Sequence, residues 1–156
     1  MKQNIKQVLS VLKEKYEIFN ELAEKEIELI SPLFDQKNYR AESFLFREGE
    51  PSTFICFIVS GKFEITKQTD IQNHPIMLGT LSTGSFTGET ALLEGSHTRA
   101  VSVSAIEDSE VLILKKNDLE LITRQHPEIG VKLLKELARI LTIRLLKAIE
   151  RISRSY

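Results

Sequence analysis

Six of the seven glycines, Gly49, Gly61, Gly79, Gly84, Gly88 and Gly95, lie between residues 49 and 95, and the first 48 residues contain none. Glycines spaced in this way between short apolar runs are turn signals of an antiparallel sheet, so the middle of the chain is confined to short strands. Residues 54–59, Phe-Ile-Cys-Phe-Ile-Val, are continuously apolar and suit a strand buried on both faces. Residues 63–66 and 101–104 alternate apolar and polar, as half-buried strands do, and 111–114 form the last short apolar run.

The flanks obey a different period. Ile5, Val8, Leu9 and Leu12 recur at helical spacing, Leu22, Ile27 and Ile30 follow after Asn20, and Pro32 closes that stretch. After the strands, Asn117 or Asp118 is placed to cap a short helix carrying Leu119, Leu121 and Ile122, and His126 before Pro127 marks a break. From Pro127 to about Arg154 there is no further proline, and the one glycine is Gly130. Apolar residues from Ile129 to Ile152 recur there in steps of three and four, which predicts a helix about 40 Å long. Leu134, Ile143 and Leu146 lie off its main seam, so it has apolar surface for its own domain and for a second partner. The chain is therefore expected to be α+β, with N-terminal helices at 1–34, a β-roll at 35–116 and C-terminal helices at 117–156.

Charge and cysteine content exclude several classes of function. Lys plus Arg number 21 and Asp plus Glu 22, a formal charge of −1, which excludes a strongly basic nucleic-acid binder. The segment 131–156 carries seven basic and two acidic residues, +5, and leaves −6 for the remainder. That basic end reads as the polar side of the long helix. The single cysteine, Cys56, excludes an internal disulfide framework and any zinc site of several thiolates, and sits where a small buried hydrophobe is expected. His74, His97 and His126 are too scattered for a metal site, and no catalytic constellation can be assembled. No enzyme activity, metal or cofactor is expected. The longest apolar run is six residues, and the N-terminus lacks a signal-peptide core, so a cytoplasmic chain without a membrane span is expected.

The stretch that carries chemistry is 85–100, Ser-Phe-Thr-Gly-Glu-Thr-Ala-Leu-Leu-Glu-Gly-Ser-His-Thr-Arg-Ala. Gly88, Glu89, Thr90 and Ala91 can begin a short helical turn whose leading N–H groups attract an anion. Arg99 follows ten residues after Glu89, at the edge of an alternating run, where a returning loop can bring its guanidinium to the same place. Backbone donors plus a planar cation make a phosphate site, and Glu89 can accept from hydroxyl groups. A surface Glu–Arg pair flanking a loop fits the same spacing.

This stretch resembles the phosphate-binding cassette of cyclic nucleotide-binding domains, through Phe86, Gly88, Glu89, Ala91, Leu92, Arg99 and Ala100. Residues 46–51 and 58–62 resemble the two glycine-marked turns of that family, 81–84 its approach to the cassette, and Pro127 with the long helix its terminal helix. The resemblance implies an antiparallel β-roll of the jelly-roll type, a double-stranded β-helix. It also implies a sensor in which Arg99 holds a cyclic phosphate, Glu89 the ribose 2′-hydroxyl, and amides near Gly88, Thr90, Ala91 and Ala100 complete the cradle. Ala100 follows the arginine as in relatives that prefer cAMP, where those favouring cGMP often carry Thr. Arg144 falls near where relatives place a base-contacting side chain, and it also fits a solvated helix face. Three positions depart from the pattern: Thr87 for a small residue, Thr90 for an apolar one, and Ala41 at an early turn that often holds glycine.

The expected partners are a cyclic nucleotide, a second copy through the C-terminal helix, and a protein effector of unknown identity. Two other readings remain open: a degenerate domain serving as a dimerisation or interaction module, and the sensor part of a transcription regulator. Regulators of that kind continue into a helix-turn-helix. The sequence stops at Tyr156 without one, so DNA binding by this chain alone is not expected.

Overall fold

Strand and turn signals alternate so closely between 34 and 115 that no element there exceeds seven residues. The computed structural model describes residues 10, 13, 14, 17–71 and 74–156. In chain order the elements are α1 (Glu17–Asn20), α2 (Glu24–Ile30), a 3-10 turn (Ser31–Leu33), β1 (Phe34–Tyr39), β2 (Phe44–Phe46), β3 (Phe54–Ser60), β4 (Lys62–Lys67), β5 (Ile76–Ser82) and β6 (Phe86–Thr87). A second 3-10 turn (Glu89–Leu92) precedes β7 (Ser102–Ala105), β8 (Ser109–Lys115), α3 (Lys116–Gln125) and α4 (Pro127–Ser153). The residues Ile5, Val8, Leu9 and Leu12, expected on a first helix, lie outside the described residues.

Two antiparallel four-stranded sheets form the roll, in the orders β1-β8-β3-β6 and β2-β7-β4-β5. The continuous apolar run of β3 is explained by its position, since its two faces feed two cores. Ile55 and Phe57 point to the helices, and Cys56 and Ile58 point between the sheets. β8 pairs with it through Ile55↔Leu114 and Phe57↔Leu112 and repeats the division, with Leu112 and Leu114 on the helical side and Val111 and Ile113 on the other. On the helical side, Phe19, Ile27, Ile30, Leu119, Ile122, Ile129, Leu133 and Leu137 complete the core. Each such side chain, when fully buried, contributes about 1.5–3 kcal/mol through burial.

The long helix runs from Pro127 to Ser153, 27 residues, with proline at its first turn as a donor-free residue should be. Four local expectations are corrected. Gly79 does not make a turn but lies inside β5 opposite Ile65, beside a register shift. The other five glycines of the window do adopt positive φ. α3 starts at Lys116 after Lys115, ahead of Asn117 and Asp118, and no side chain caps it. The strand expected at 101–104 begins one residue later, as β7. At the early turn, the left-handed residue is Glu42 (φ 71°), one position after Ala41.

Candidate functional site

The segment 85–100 begins in β6, at the edge of the first sheet, where Phe86 pairs with Phe57 and Thr87 with Cys56. Gly88 then turns the chain with φ 90°. A side chain here would meet the Phe54 carbonyl oxygen at 2.6 Å and Arg99 Nη1 at 2.8 Å, so glycine is required both by conformation and by space. The 3-10 turn Glu89–Leu92 follows, and the Ala91 N–H donates to the Gly88 carbonyl at 3.0 Å. That bond commits the Ala91 amide. The N–H groups of Glu89 and Thr90, which lead the turn, have no partner within it.

Arg99 returns beneath this turn. Its backbone is fixed to the glycine-marked turn at 47–50, with its N–H donating to Glu50 O at 2.7 Å and its carbonyl accepting from Gly49 N–H at 2.9 Å. The side chain is 2% exposed, among the largest fully buried groups of the molecule. Its guanidinium lies 4.1 Å from the centre of the Phe46 ring and 4.6 Å from that of Phe54, and the two rings meet edge to face. Nη1 donates to Ser52 Oγ at 2.7 Å and Nη2 to Phe54 O at 2.8 Å, while Nε has no hydrogen-bond partner. Burial lowers the pKa of this arginine, and the carboxylates of Glu89 and Glu50 oppose that shift.

Arg144 approaches from the other side. It projects from α4 onto the first residues of the cassette, donating from Nη2 to Ser85 Oγ at 2.7 Å and to the Phe86 carbonyl. Its guanidinium sits 4.7 Å from the centre of the Phe86 ring. Burial lowers its pKa too, again opposed by the charge of Glu89. Glu89, half-buried, is thus the acidic group whose field reaches both arginines.

The fold brings Gly88, Glu89, Thr90, Ala91 and Arg99 together at one end of the roll, with Arg144 over Phe86 beside them. Ala100 is exposed next to Arg99, and its carbonyl accepts from Lys67 Nζ at 2.8 Å. Ser52 is the participant that the sequence reading missed. It is 5% exposed and joins Arg99 to Thr90, whose Oγ1 lies 2.6 Å from Ser52 Oγ. His97 is an exposed loop residue bonded to Glu94 O, and Cys56 is buried with its thiol pKa pushed up by desolvation. Among the described residues, no group of three or more His, Cys, Asp or Glu is placed to hold a metal, and no helix is long and apolar enough to cross a membrane.

The chain belongs to the cyclic nucleotide-binding domain family, whose model matches residues 36–126, more than half of its length. The cyclic AMP receptor protein of Thermus thermophilus is 29% identical over 122 residues, covering 78% of this chain and 56% of the receptor. A cGMP-dependent protein kinase of Caenorhabditis elegans is 32% identical over 91 residues, covering 58% of this chain and 12% of the kinase. A solved cyclic nucleotide-binding domain from Methylobacillus flagellatus aligns with a TM-score of 0.83 at 20% identity, over 97% of this chain and 84% of that one, a likeness of fold. This chain spans 12% to 56% of the length of the two curated relatives. It is a binding domain of a family of regulatory and sensor domains, built on the antiparallel roll with a long C-terminal helix.

Proposed function

We propose that this chain is a non-enzymatic sensor for a cyclic nucleotide, with cAMP preferred over cGMP. The observation that carries the reading is Arg99: a guanidinium buried under the Gly88 turn, aromatic on two sides, with its Nε–H unspent. A purely structural arginine at such depth should have its donors satisfied. A cyclic phosphate carries one negative charge, and the planar fork can present two parallel donors to it, which lysine cannot do. The leading amides of the 3-10 turn add neutral donors, Glu89 accepts from the ribose hydroxyl, and Ala100 leaves space where cGMP-preferring relatives often carry Thr. The bases named for the two curated relatives differ, so the preference rests on Ala100.

The receptor groups hold one another. Arg99 spends two donors on Ser52 and Phe54, and Arg144 spends its own on Ser85 and Phe86. A nucleotide must displace the turn or exchange these contacts, so it binds only by what its phosphate returns beyond them. In this reading Arg144 transfers from Phe86 to the purine, a similar cation–π partner, and α4 closes over the base. The equilibrium between open and closed α4 then shifts by the difference in ligand affinity between the two states, and by no more.

The test is calorimetric titration with cAMP and cGMP, on protein unfolded and refolded to strip any nucleotide carried from the host. Arg99→Ala should weaken binding about tenfold to a hundredfold, the loss of a charged hydrogen-bonding partner. No heat with either nucleotide would overturn the sensor reading in favour of an interaction module. The exposed apolar residues of α4, among them Leu145, Leu146, Ile149 and Ile152, support a homodimer through that helix. Light scattering that finds a monomer at tens of micromolar would refute the dimer.

A further inference from the structure

Thr90 stands where the family pattern has an apolar residue, and a hydroxyl at such a place would be expected to disturb the packing under the cassette. Instead it has a partner. Thr90 Oγ1 lies 2.6 Å from Ser52 Oγ, and Ser52 Oγ lies 2.7 Å from Arg99 Nη1. An arginine can only donate and a serine hydroxyl offers one proton and two lone pairs, so Ser52 accepts from Arg99 and keeps its proton and one lone pair, either of which can make a further bond. Thr90 takes that bond. Ser52 is itself fixed, with its backbone N–H donating to His97 O at 2.8 Å.

We propose that Ser52 and Thr90 are a pair of positioning residues that set the plane of the Arg99 guanidinium relative to the cassette turn. This rests on the reading above of Arg99 as the group that holds the phosphate. Two hydrogen bonds in series run from Thr90 on the turn through Ser52 to Arg99, linking the segment that supplies amide donors to the side chain that supplies charge. The Phe46 and Phe54 rings, set edge to face, enclose the guanidinium at 4.1 and 4.6 Å, and Phe54 O holds Nη2. Ser52 restrains Nη1, the other end of the fork, and with Phe54 O it fixes rotation in the plane. Without the Thr90 hydroxyl, Ser52 can turn about its χ1 and this second restraint slackens. The consequence is specificity of orientation: the pair governs how well the site distinguishes the two exocyclic oxygens of a cyclic phosphate.

The experiment uses the full chain carrying Thr90→Val, Thr90→Ser, Ser52→Ala and the Ser52→Ala/Thr90→Val double variant, with thermal unfolding to confirm the fold. Two readouts apply. In ligand-free protein, ¹H–¹⁵N spectra of the arginine side chains report rotation and exchange of the Arg99 Nη protons, with Arg99→Lys for assignment. In titrations, cAMP and the two diastereomers of its cyclic phosphorothioate report affinity and orientation.

Thr90→Val should speed Nη rotation and exchange, lower cAMP affinity about fivefold and move the diastereomer affinity ratio toward one. Thr90→Ser should restore all three. Ser52→Ala should do at least as much as Thr90→Val, and the double variant no more than Ser52→Ala, because the two act in series. Unchanged Nη signals in both Thr90→Val and Ser52→Ala would overturn the proposal. So would an equal loss of affinity for both diastereomers, or failure of Thr90→Ser to restore. Should wild-type protein bind neither cAMP nor cGMP, the sensor reading falls, and the Nη measurement still decides whether the pair positions Arg99.

Discussion

Two arginines reach the cassette from opposite sides, and they are held in opposite ways. Arg99 rises from within the roll, its backbone bonded to the turn at 47–50 and its side chain enclosed by Phe46, Phe54 and Ser52. Arg144 arrives on the free half of a helix. The first half of α4 buries Ile129, Leu133 and Leu137, but from Thr142 onward Arg144 is the one side chain that is not exposed. The difference teaches how such a site divides its work. In the sensor reading proposed above, the charge needed in one geometry is built into the sheets, and the contact that exchanges is placed on an element with little else to hold it.

The sharpest way to break this contrast is at Gly88. Gly88→Ala places a Cβ against the Phe54 carbonyl and Arg99 Nη1 in a backbone region that L-residues avoid. Strain of this kind costs about 1–3 kcal/mol before the displacement of a buried guanidinium is added. Denaturant unfolding should therefore show a loss at or above the top of that range. If stability is unchanged, Arg99 is not rigidly seated.

Arg144→Ala should behave differently. Its contacts lie at the edge of the fold, so global stability should fall by about 1 kcal/mol or less. Amide hydrogen exchange should accelerate in α4 beyond Thr142 while the segment from Ile129 to Leu137 keeps its protection. Uniform acceleration along the helix would erase the distinction between its halves.

How much of this was legible depends on what each residue type reports. The continuous run at 54–59 and the alternation at 63–66 expose β3 and β4 directly, because burial on two faces or one leaves a matching pattern. β1 escapes notice: in Phe-Asp-Gln-Lys-Asn-Tyr only Phe34 is buried, and the strand is held by its ladder to β8 at the edge of the sheet. β5 hides for a related reason, since Ile76, Met77 and Leu78 are exposed and Gly79 reads as a turn. Edge strands are fixed by backbone bonds, which sequence pattern does not encode. At the cassette, Gly88, Glu89 and Arg99 are legible as residue types suited to an anion. Ser52 is not, because a serine after proline in a turn looks like turn chemistry, and its bonds to Arg99 and Thr90 span 47 and 38 residues. The clue was Thr90, whose hydroxyl at a nominally apolar position required a partner.

The smallest effect tests the anchored half of α4 by acid. Lys132 on α4 donates to Glu26 Oε1 on α2 at 2.6 Å, and that carboxylate also accepts from the Ala23 N–H at 3.0 Å, half of a capping box. The Lys132 bond first, and the Ala23 N–H second, hold the Glu26 carboxyl below its ordinary value. A depressed carboxyl binds fewer protons in the folded chain than in the unfolded one. Its contribution is therefore complete above the ordinary carboxylate range and is lost as pH falls through the native value. Because Lys132 is 38% exposed, solvent screening limits the pair to about 0.5 kcal/mol. Glu26→Gln should remove that amount at neutral pH and nothing below the native titration, so the wild-type and variant stability curves converge in acid. The acceptors of Arg144, the Ser85 hydroxyl and the Phe86 carbonyl, do not themselves titrate in this range. Acid should thus loosen the root of α4 through Glu26, and ¹³C titration of the Glu26 carboxyl beside hydrogen exchange at the root of the helix would follow it.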